Sequence, residues 1–333
     1  MQKTFDIVII GGGTTGLFAT YYATMRGLDV LLIESQQRLG GKVMQFFPEK
    51  LIYDVGGLPE ILGEQLVKQM EEQARRHQPP VVVGQFVTNI DQQEDGFTLT
   101  TSTKEKYQAK KVLLATGAGT FHAKRPEEWD ALSPQSFKET VPTTLDDLVS
   151  YTDKHVVITG NSKVNVSWAL YVSKVASEVT IINNQQTFQH ITEEEQEALQ
   201  NAQVNIYKNT KIKDFLIEND TLTGMIIKET SNHVEQTIKA DCLITYNGIS
   251  LQETPFTQWG IVMEKGRINV NACMETNVSG IFAAGDIVQY PGKTMLIATG
   301  YTDAMTAINH AHMQINPKAK EQVYSTVIYQ TRK

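Results

Sequence analysis

The chain has 333 residues, of which 41% are hydrophobic and 20% are charged, and its formal net charge is −7 at pH 7. These values are typical of a globular protein long enough for two domains. The negative charge argues against a nucleic-acid partner. Because the sequence lacks an apolar run of roughly eighteen residues, we expect no membrane-spanning helix and no membrane partner.

The two cysteines, Cys242 and Cys273, do not form a CxxC pair. This usage fits a reducing cytoplasm better than a disulfide. The first residues lead directly into a predicted strand and leave no room for a signal peptide, so we expect a cytoplasmic protein. The seven histidines show no ligand spacing, and we expect no metal site.

An apolar run at residues 6–10 ends in the glycine-rich turn Gly11-x-Gly13-x-x-Gly16, and a helical pattern follows at once. In such a turn the first glycine makes the tight bend, the second leaves room for a pyrophosphate, and the third lets the helix pack closely on the strand. The helix N-terminus, with Thr14 and Thr15, then presents its partial positive charge to the phosphates.

A second apolar run, Val30–Ile33, ends at Glu34, 18 positions after Gly16. An acid at the end of this strand receives ribose hydroxyls in dinucleotide-binding folds. Strand, glycines, helix, strand and acid in this order predict a dinucleotide site. The alternative is a glycine-rich turn in an ordinary βαβ unit.

The paired Gly40 and Gly41 follow soon after the acid and allow a second close approach of backbone to a cofactor. This arrangement favours a long cofactor such as FAD over NAD alone. The neighbouring Phe46 and Phe47 either form a wall for a flavin ring or belong to the core.

Farther along, Pro59 is predicted to open a helix. The segment 81–115 is typical of short strands, and its last strand ends at Thr116-Gly117, which suits backbone passing close to a cofactor. Residues 120–150 carry three prolines among polar residues and are typical of a linker to a second domain.

That second domain opens with another βαβ pattern, whose turn begins at Gly160. Ser162 and Asn165 occupy the positions of the second and third small residues. We expect Ser162 to block a pyrophosphate and Asn165 to separate helix from strand. The next strand ends in Asn183, Asn184 and Gln185, which include neither an acid for an NAD ribose nor an arginine for an NADP phosphate.

A capping box begins at Thr192 and places three glutamates in the first turn of the following helix. We expect these acids to cap the helix and to repel a nearby phosphate. Near the C-terminus an apolar strand leads to Asp286, which either bonds a ribityl hydroxyl or caps a helix. Residues 292–300 are predicted to open a final helix whose amides face a flavin edge.

Over essentially its whole length the chain resembles the bacterial ferredoxin–NADP reductases built like thioredoxin reductase. The resemblance rests on the first glycine motif and on further segments at 39–41, 47–50, 53–55, 274–277, 282–286 and 324–326. It implies an α/β fold with two Rossmann-like (three-layer ββα) dinucleotide-binding domains, the second inserted in the first. The FAD-binding domain would comprise residues 1–117 and 247–333, and the NAD(P)H-type domain residues 118–246.

The resemblance also implies a homodimer whose C-terminal tail covers the partner's flavin, with ferredoxin or flavodoxin as the redox partner. The FAD-binding positions that it implies, together with those the motifs indicate, are Gly11, Gly13, Thr14, Thr15, Gly16, Glu34, Gly40, Gly41, Lys42, Phe47, Val87, Gly117, Phe121, Asp286 and Thr326. Phe47 and Tyr324 would stack on the flavin, and catalysis would be the flavin's own.

Two groups of residues depart from the family pattern. Near the flavin, the family has Gln at Lys42, Tyr at Phe47 and His at Tyr324. Aromatic residues at these two positions can still stack, and Lys42 either stabilises a reduced, anionic flavin or is an exposed lysine without such a role.

In the second domain the family motif is Gly-Gly-Gly-Asp-Ser-Ala, where this chain has residues 160–165, and His-Arg-Arg stands where this chain has Asn183, Asn184 and Gln185. A further family arginine is Gln189. Each arginine–phosphate bond is worth about 1.5–3 kcal/mol, so losing two weakens binding about a hundredfold or more. We therefore expect a degenerate NADP site.

Two functions remain open from the sequence. The first is an FAD oxidoreductase of the ferredoxin–NADP reductase type in which NADP(H) binding is weakened or lost. The second is an FAD-binding redox partner or sensor that does not use pyridine nucleotide.

Overall fold

The structure is a computed structural model that describes residues 3–126, 129, 132, 137, 141–252, 254–321 and 323–331. The chain divides into two compact units. Unit 1 comprises Met1–Thr120 and Gln252–Lys333, and unit 2 comprises Phe121–Leu251. Unit 2 is therefore an insertion in the sequence of unit 1.

The helices in the described part of the chain are α1 (Thr14–Met25), α2 (Gly41–Phe46), α3 (Gly63–Arg75), α4 (Lys163–Val172), α5 (Glu193–Asn201), α6 (Ile297–Ile315) and α7 (Ser325–Thr331), with 3-10 turns at Leu148–Tyr151 and Gly285–Ile287.

The strands are β1 (Thr4–Ile10), β2 (Val30–Ile33), β3 (Leu51–Ile52), β4 (Ile61–Leu62), β5 (Val81–Val82), β6 (Val87–Gln93), β7 (Gly96–Thr101), β8 (Lys106–Leu114), β9 (Thr120–Ala123), β10 (His155–Thr159), β11 (Glu178–Ile182), β12 (Asn205–Tyr207), β13 (Thr210–Glu218), β14 (Thr221–Glu229), β15 (Glu235–Lys239), β16 (Cys242–Thr245), β17 (Ile249–Gln252), β18 (Met263–Glu264), β19 (Arg267–Asn269), β20 (Ile281–Ala283) and β21 (Val288–Gln289).

Unit 1 is built on a seven-stranded sheet with the order β5-β2-β1-β8-β7-β6, in which β20 also pairs with β8. The strands β5, β2, β1, β8 and β20 run parallel, and β6, β7 and β8 form an antiparallel meander. The carboxyl ends of the parallel strands lie at one edge of the sheet, where ligands bind in open α/β folds.

Both faces of this sheet are covered, which explains the continuous apolar run of β1. Ile7 and Ile9 belong to one buried cluster, together with residues of α1, α3 and α6. Val8 and Ile10 belong to a second cluster on the opposite face, with Phe256 among its members. The alternation is the period of two that a strand imposes on its side chains.

Unit 2 repeats the theme on a smaller scale. Its parallel sheet has the order β12-β11-β10-β16, and a separate antiparallel sheet has the order β13-β14-β15. A buried cluster that includes Val157, Met225 and Leu243 joins the two sheets. The reversal of strand order on either side of β10 creates a topological switch point at the carboxyl edge of the parallel sheet.

The α/β fold class predicted from the sequence is confirmed. The division into units lies at 120/121 and 251/252, whereas the predicted boundaries are 117/118 and 246/247. The chain passes from unit 1 to unit 2 within β9 and returns within β17, and these two strands pair with each other. Which cofactor each unit binds stays a prediction.

Two predicted helix starts are wrong. The helix expected to open at Pro59 begins at Gly63, because Ile61–Leu62 pairs with Leu51–Ile52 as a short antiparallel ribbon. The helix expected from Gly292 begins at Ile297, and it is not the last one, since α7 follows it.

Within the described residues, none of the helices combines the length and apolarity that a bilayer crossing requires. Both cysteines are free thiols. In the same part of the chain, no group of three or more His, Cys, Asp and Glu side chains is arranged so that it could hold a metal ion.

Candidate functional site

The glycine turn after β1 has the geometry expected for a dinucleotide cradle. Gly11 has a φ of +106°, and its N–H donates to the carbonyl of Ile33 at 2.8 Å. A Cβ at Gly11 would collide with the carbonyl oxygen of Ala115, and one at Gly16 would collide with the carbonyl oxygen of Gly11. Both positions therefore require glycine.

Gly13 is the N-cap of α1, and no side chain caps the helix there. The atom nearest to a Cβ built at Gly13 would be the Cα of Gly41, at 3.8 Å. Among the described residues other than its chain neighbours, no side chain lies within 4 Å of that point, at the start of α1 beside Thr14 and Thr15. Such a helix start is suited to binding an anion.

The second glycine pair lies directly against the first turn. The N–H of Gly40 donates to the carbonyl of Gly12 at 2.8 Å, and Gly13 and Gly40 form an isolated bridge. Gly40 and Gly41 have φ values of +104° and +55°, and a Cβ at Gly41 would lie 2.9 Å from the Cα of Gly13. Two bare backbone segments thus face each other.

Glu34 completes the cradle at the end of β2. The residue is 5% exposed, and its carboxylate accepts hydrogen bonds from the N–H of Gly12 at 2.5 Å and the N–H of Gln36 at 2.7 Å. The Ser35 hydroxyl donates to the same carboxylate at 3.0 Å. The acid is held beside the glycine turn, as a ribose-binding acid must be.

The carboxyl end of β8 supplies further elements of the cradle. Among the described residues, the buried hydroxyl of Thr116 has no hydrogen-bond partner. It lies beside the glycine turn, since a Cβ at Gly11 would be 3.1 Å from the Cα of Thr116. Gly117 follows with a φ of +59°. A buried hydroxyl normally finds a partner, so this one fits a ligand's polar group.

Thr15 brings three segments together. A Cβ at Gly285 would lie 2.7 Å from its Oγ1, and a Cβ at Gly300, in the first turns of α6, would collide with the same atom. Asp286 is half-buried in the 3-10 turn that follows Gly285. The start of α1, this turn and the start of α6 therefore converge.

A buried ion pair, not recognised in the sequence, fixes this region. The carboxylate of Asp303 accepts hydrogen bonds from the N–H of Gly285 at 3.0 Å, the hydroxyl of Tyr290 at 2.7 Å and the ammonium of Lys293 at 2.5 Å. Burial and the bond to Asp303 raise the pKa of Tyr290 to about 12. The sequence signal that could have revealed this ion pair is an aspartate on the buried face of the helix predicted from residue 292.

Phe47 is half-buried at the end of α2, and the Nζ of Lys50 lies 5.3 Å from the centre of its ring. Phe46 is buried with its ring centre 6.2 Å from that of Phe47. Lys42 is exposed in the first turn of α2.

The remaining predicted residues are not gathered at the cradle by the described contacts. Val87 is buried in the core at the start of β6. Tyr324 is 62% exposed before α7, and Thr326 is exposed within it. The backbone of Phe121 belongs to β9, and its side chain lies outside the described residues.

Unit 1 thus offers two facing glycine segments, an uncapped helix start, a buried acid and an unpaired hydroxyl. These residues fit an adenine dinucleotide such as FAD, because each supplies a contact that a pyrophosphate or ribose requires.

The glycine turn of unit 2 has the same backbone plan. Gly160 has a φ of +138°, and its N–H donates to the carbonyl of Ile182 at 3.0 Å, as Gly11 donates to Ile33. The difference lies in the side chains around the turn.

Asn165 is completely buried and bonds to the turn on both sides. Its Oδ1 accepts hydrogen bonds from the N–H and the hydroxyl of Ser162 at 2.9 and 2.6 Å. Its Nδ2 donates to the carbonyls of Thr159 at 2.9 Å and Tyr246 at 3.0 Å. The asparagine, which was expected to separate helix from strand, lies between them and hydrogen-bonds to both.

The loop after β11 is likewise held by its own amide. Asn183 is buried, accepts a hydrogen bond from the N–H of Gln185 at 2.8 Å and donates to the carbonyl of Thr187 at 3.1 Å. Asn184, Gln185 and Gln189 are exposed and uncharged. The chain has no arginine at these positions to bind a phosphate.

The predicted capping box is confirmed, with Thr192 accepting from the N–H of Glu195 at 3.2 Å. The first turn of α5 carries three glutamates, of which Glu195 forms an ion pair with Lys163 at 2.9 Å. Lys163, which follows the glycine turn, is therefore already paired with a carboxylate. These residues fit the phosphates of NADP(H) poorly.

Comparison with known proteins identifies relatives of the whole chain. The family model described as pyridine nucleotide-disulphide oxidoreductase matches residues 5–314. The chain is 37% identical to ferredoxin–NADP reductase 1 of Bacillus velezensis, over 98% of this chain and 96% of the relative. It is 38% identical to a ferredoxin–NADP reductase of Halalkalibacterium halodurans, over 96% of each chain.

Among solved structures, a thioredoxin reductase from T. acidophilum matches with a TM-score of 0.61 and 23% identity, covering 94% of this chain and 99% of that one. This likeness concerns the fold alone. The resemblance inferred from the sequence motifs is confirmed.

Proposed function

The chain belongs to the pyridine nucleotide-disulphide oxidoreductase family, as a flavoprotein oxidoreductase of the ferredoxin–NADP reductase type, and on this premise we propose that it is a reductase in which NADPH binding is weakened or lost. The observation that carries the proposal is the contrast between two glycine turns of the same plan. Unit 1 has glycine at the second and third positions of its motif, whereas unit 2 has Ser162 and the buried Asn165, which hydrogen-bonds to Ser162 and to the strand-end carbonyl of Thr159.

In this proposal unit 1 holds FAD, which supplies the electron-transfer chemistry when bound. The turn at Gly11–Gly16 and the start of α1 hold the pyrophosphate, and Glu34 accepts the ribose hydroxyls. Asp286 takes a ribityl hydroxyl, and the start of α6 lies near the flavin edge that becomes negative on reduction. Phe47 lies against the ring.

Unit 2 has the fold of a nucleotide-binding domain but lacks the positive charges that would bind a phosphate at these positions. A 2′-phosphate needs cationic partners, and the positions where the family has arginines carry Asn184, Gln185 and Gln189. The glutamates at the start of α5 add repulsion. NADH, which lacks this phosphate, loses less than NADPH, but it too meets a turn in which Ser162 and Asn165 replace small residues of the motif.

The two relatives above are named for ferredoxin and NADP. We propose ferredoxin, or the flavodoxin that the resemblance of the sequence also implies, as the protein that exchanges electrons with the flavin. The proposal includes a homodimer in which Tyr324 and Thr326 of one copy cover the flavin of the other, and their exposure in a single chain supports it. The two free cysteines suit a cytoplasmic setting.

A second candidate is an FAD-binding redox partner or sensor that does not use pyridine nucleotide. The observation favouring it is that the changes in unit 2 occur together, in the glycine turn and in the arginine positions. It shares the flavin site with the first candidate and differs in having no nucleotide reductant at all.

The test is anaerobic mixing of the purified yellow protein with NADPH and then NADH, while the flavin absorbance is followed. We expect bleaching that is slow or absent at sub-millimolar nucleotide, with full reduction by dithionite. Rapid bleaching by NADPH would overturn the proposal and make the protein an ordinary reductase. A protein purified without flavin that also fails to bind added FAD would overturn the FAD assignment itself.

A further inference from the structure

We propose that Arg26 is a positioning residue for the C-terminal tail, by which we mean the described residues 316–321 and 323–331. By holding the start of the tail, Arg26 fixes the place from which Tyr324 reaches the flavin of a second copy. The inference rests on the proposed function, because that function gives the tail its task.

Arg26 lies where two long helices of unit 1 end. It follows α1 directly and is 8% exposed. Its Nε donates to the Nδ1 of His312 at 3.2 Å, and its Nη1 donates to the Oδ1 of Asn309. Both acceptors belong to α6. The guanidinium is therefore held against α6 by a residue at the end of α1 that is remote from the glycine turn.

The same guanidinium also reaches the tail. Its Nη1 donates to the carbonyl of Glu321 at 3.2 Å, and its Nη2 donates to the carbonyl of Lys320. These acceptors are backbone groups, so the contact depends on the path of the tail. A guanidinium carries five donors in a rigid fork, which lets it bind two consecutive carbonyls and two helix side chains together. One side chain thus ties the tail to α1 and α6.

The four acceptors named above are uncharged. Burial and the neighbouring Arg26 lower the pKa of His312, partly offset by Asp6, so the imidazole is neutral at pH 7 and its Nδ1 can accept a hydrogen bond. A buried cation is costly unless it is hydrogen-bonded. Because two of its four bonds go to the tail, Arg26 needs the tail as much as the tail needs Arg26.

Beyond this attachment the tail has an inner and an outer side. Val323 and Ile328 pack against the buried cluster of unit 1, whereas Tyr324 and Val327 are 62% and 54% exposed. The N–H of Val327 donates to the carbonyl of Tyr324 at 3.0 Å, and residues three apart in a helical turn lie on the same face. An aromatic and an aliphatic side chain therefore point outwards together, as contact with a second copy requires.

The experiment is a double-mutant cycle on the FAD-loaded full chain: wild type, Arg26→Met, Tyr324→Ala, and both changes together. An aromatic ring stacked on a flavin quenches its fluorescence, so the fluorescence of the bound FAD reports the position of Tyr324. We expect Tyr324→Ala to raise it at least about threefold and Arg26→Met at least about twofold, and the double variant to match Tyr324→Ala.

The matched control is Arg75→Met, which breaks an exposed ion pair with Glu71 on α3 and should leave the fluorescence unchanged. The same rise in this control would overturn the inference. So would a double variant brighter than Tyr324→Ala, because Arg26→Met would then disturb the flavin without acting through Tyr324.

The inference and the proposed function fail in different ways. If Tyr324→Ala raises the fluorescence and Arg26→Met does not, the inference is wrong while the proposed function stands. If Tyr324→Ala leaves the fluorescence unchanged, the tail does not cover a flavin, and the inference falls together with that part of the proposed function.

A milder variant keeps the test decisive if Arg26→Met does not fold. Arg26→Lys retains the positive charge, but its donors lie on one atom and cannot replace the fork of the guanidinium, so we expect a rise of at least about 1.5-fold. Unchanged fluorescence in Arg26→Lys would then overturn the inference.

Discussion

The ammonium of Lys293 lies 2.5 Å from the carboxylate of Asp303, and the two side chains are 1% and 2% exposed. The same carboxylate holds the N–H of Gly285, one residue before Asp286. Asp303 belongs to α6, so a single buried acid connects that helix to the turn that we assign to the flavin's ribityl chain. The position of the turn therefore depends on this ion pair.

Removing one member of the pair should destabilise unit 1 strongly. Lys293→Met leaves the Asp303 carboxylate buried without its cation, which typically costs about 3–5 kcal/mol. Urea unfolding measures the loss of stability, and the FAD content after purification measures the effect on the turn. We expect both to fall.

The control is Lys293→Met combined with Asp303→Leu, which removes both charges. Replacing a buried pair by apolar residues is often neutral, so we expect much of the stability to return while FAD affinity stays reduced, because the N–H of Gly285 has lost its acceptor. Equal stability of the single variant and the wild type would contradict the prediction.

Glu34→Gln should weaken FAD binding by roughly ten- to a hundredfold, because a hydrogen bond to a charged acceptor is worth about 1.5–3 kcal/mol. Fluorescence titration of the apoprotein with FAD gives the dissociation constant. The matched control is Glu60→Gln, which changes an exposed carboxylate. If Glu34→Gln binds FAD as tightly as this control, Glu34 does not bind the ribose.

Gly63→Ala should displace the turn that carries Phe47. A Cβ at Gly63 would collide with the carbonyl oxygen of Phe47, and the N–H of Gly63 holds the carbonyl of Lys50 at 2.9 Å. We expect a loss of about 1–3 kcal/mol in the free energy of unfolding, as for other overpacked sites, and a changed flavin visible spectrum.

The control for that change is Gly56→Ala, since no atom lies within 4 Å of a Cβ there. Alanine at such a position is neutral or slightly stabilising. A destabilisation of the same size in both variants would show that the contact with Phe47 is not the cause.

Lys42→Gln, which introduces the residue that the family has, should lower the flavin reduction potential. Loss of a nearby positive charge makes the anionic reduced flavin less stable by on the order of 1 kcal/mol, which is roughly 20 mV for two electrons. Spectroscopic redox titration measures the potential, and Lys68→Gln, on the exposed face of α3, is the control. An unchanged potential would mean that Lys42 is an exposed lysine whose charge does not affect the flavin.

The stability of unit 2 should depend on pH through Asp241. Its carboxylate accepts from the N–H of His155 at 2.8 Å and from the Nδ1 of His155 at 3.0 Å. These bonds, with Lys239 nearby, lower its pKa from the usual 3.8, the backbone bond most and partly offset by burial. Since the folded pKa is depressed, the stabilisation is present above pH 3.8 and is lost as the pH falls through the folded value.

Comparison of urea unfolding for wild type and Asp241→Asn therefore should show the wild type more stable at pH 7. The difference should shrink as the pH falls below 3.8. A difference that is the same at pH 3 and pH 7 would mean that the carboxylate charge is not involved.

The sequence patterns predict local features well. The order strand, glycine turn, helix, strand and acid identifies the cradle around Gly11 and Glu34, because each part is encoded by neighbouring residues. The uncharged residues Asn184 and Gln185, which follow strand β11 of unit 2, are equally visible in the sequence, because the absence of an arginine can be recognised without tertiary information.

Contacts between distant residues could not be predicted in this way. The bond of Asn165 to Tyr246 spans 81 positions, and a polar residue in a glycine motif gives no sign of which carbonyls it will reach. Lys293 and Asp303 were likewise hidden, because only the packing of α6 against the 3-10 turn removes both from water. The start of α3 was misplaced since the pairing of β3 with β4 competes with the helix for its first residues.

The separate cores of the two units have a consequence for how this chain can change over generations. The two clusters described in unit 1 draw only on residues of unit 1, and the one described in unit 2 draws only on its own. Packing forces act over a few ångströms, so a substitution in one cradle leaves the core beneath the other unaltered. Over generations, single mutations in one unit can therefore abolish the binding of its ligand without changing the described core of the other unit.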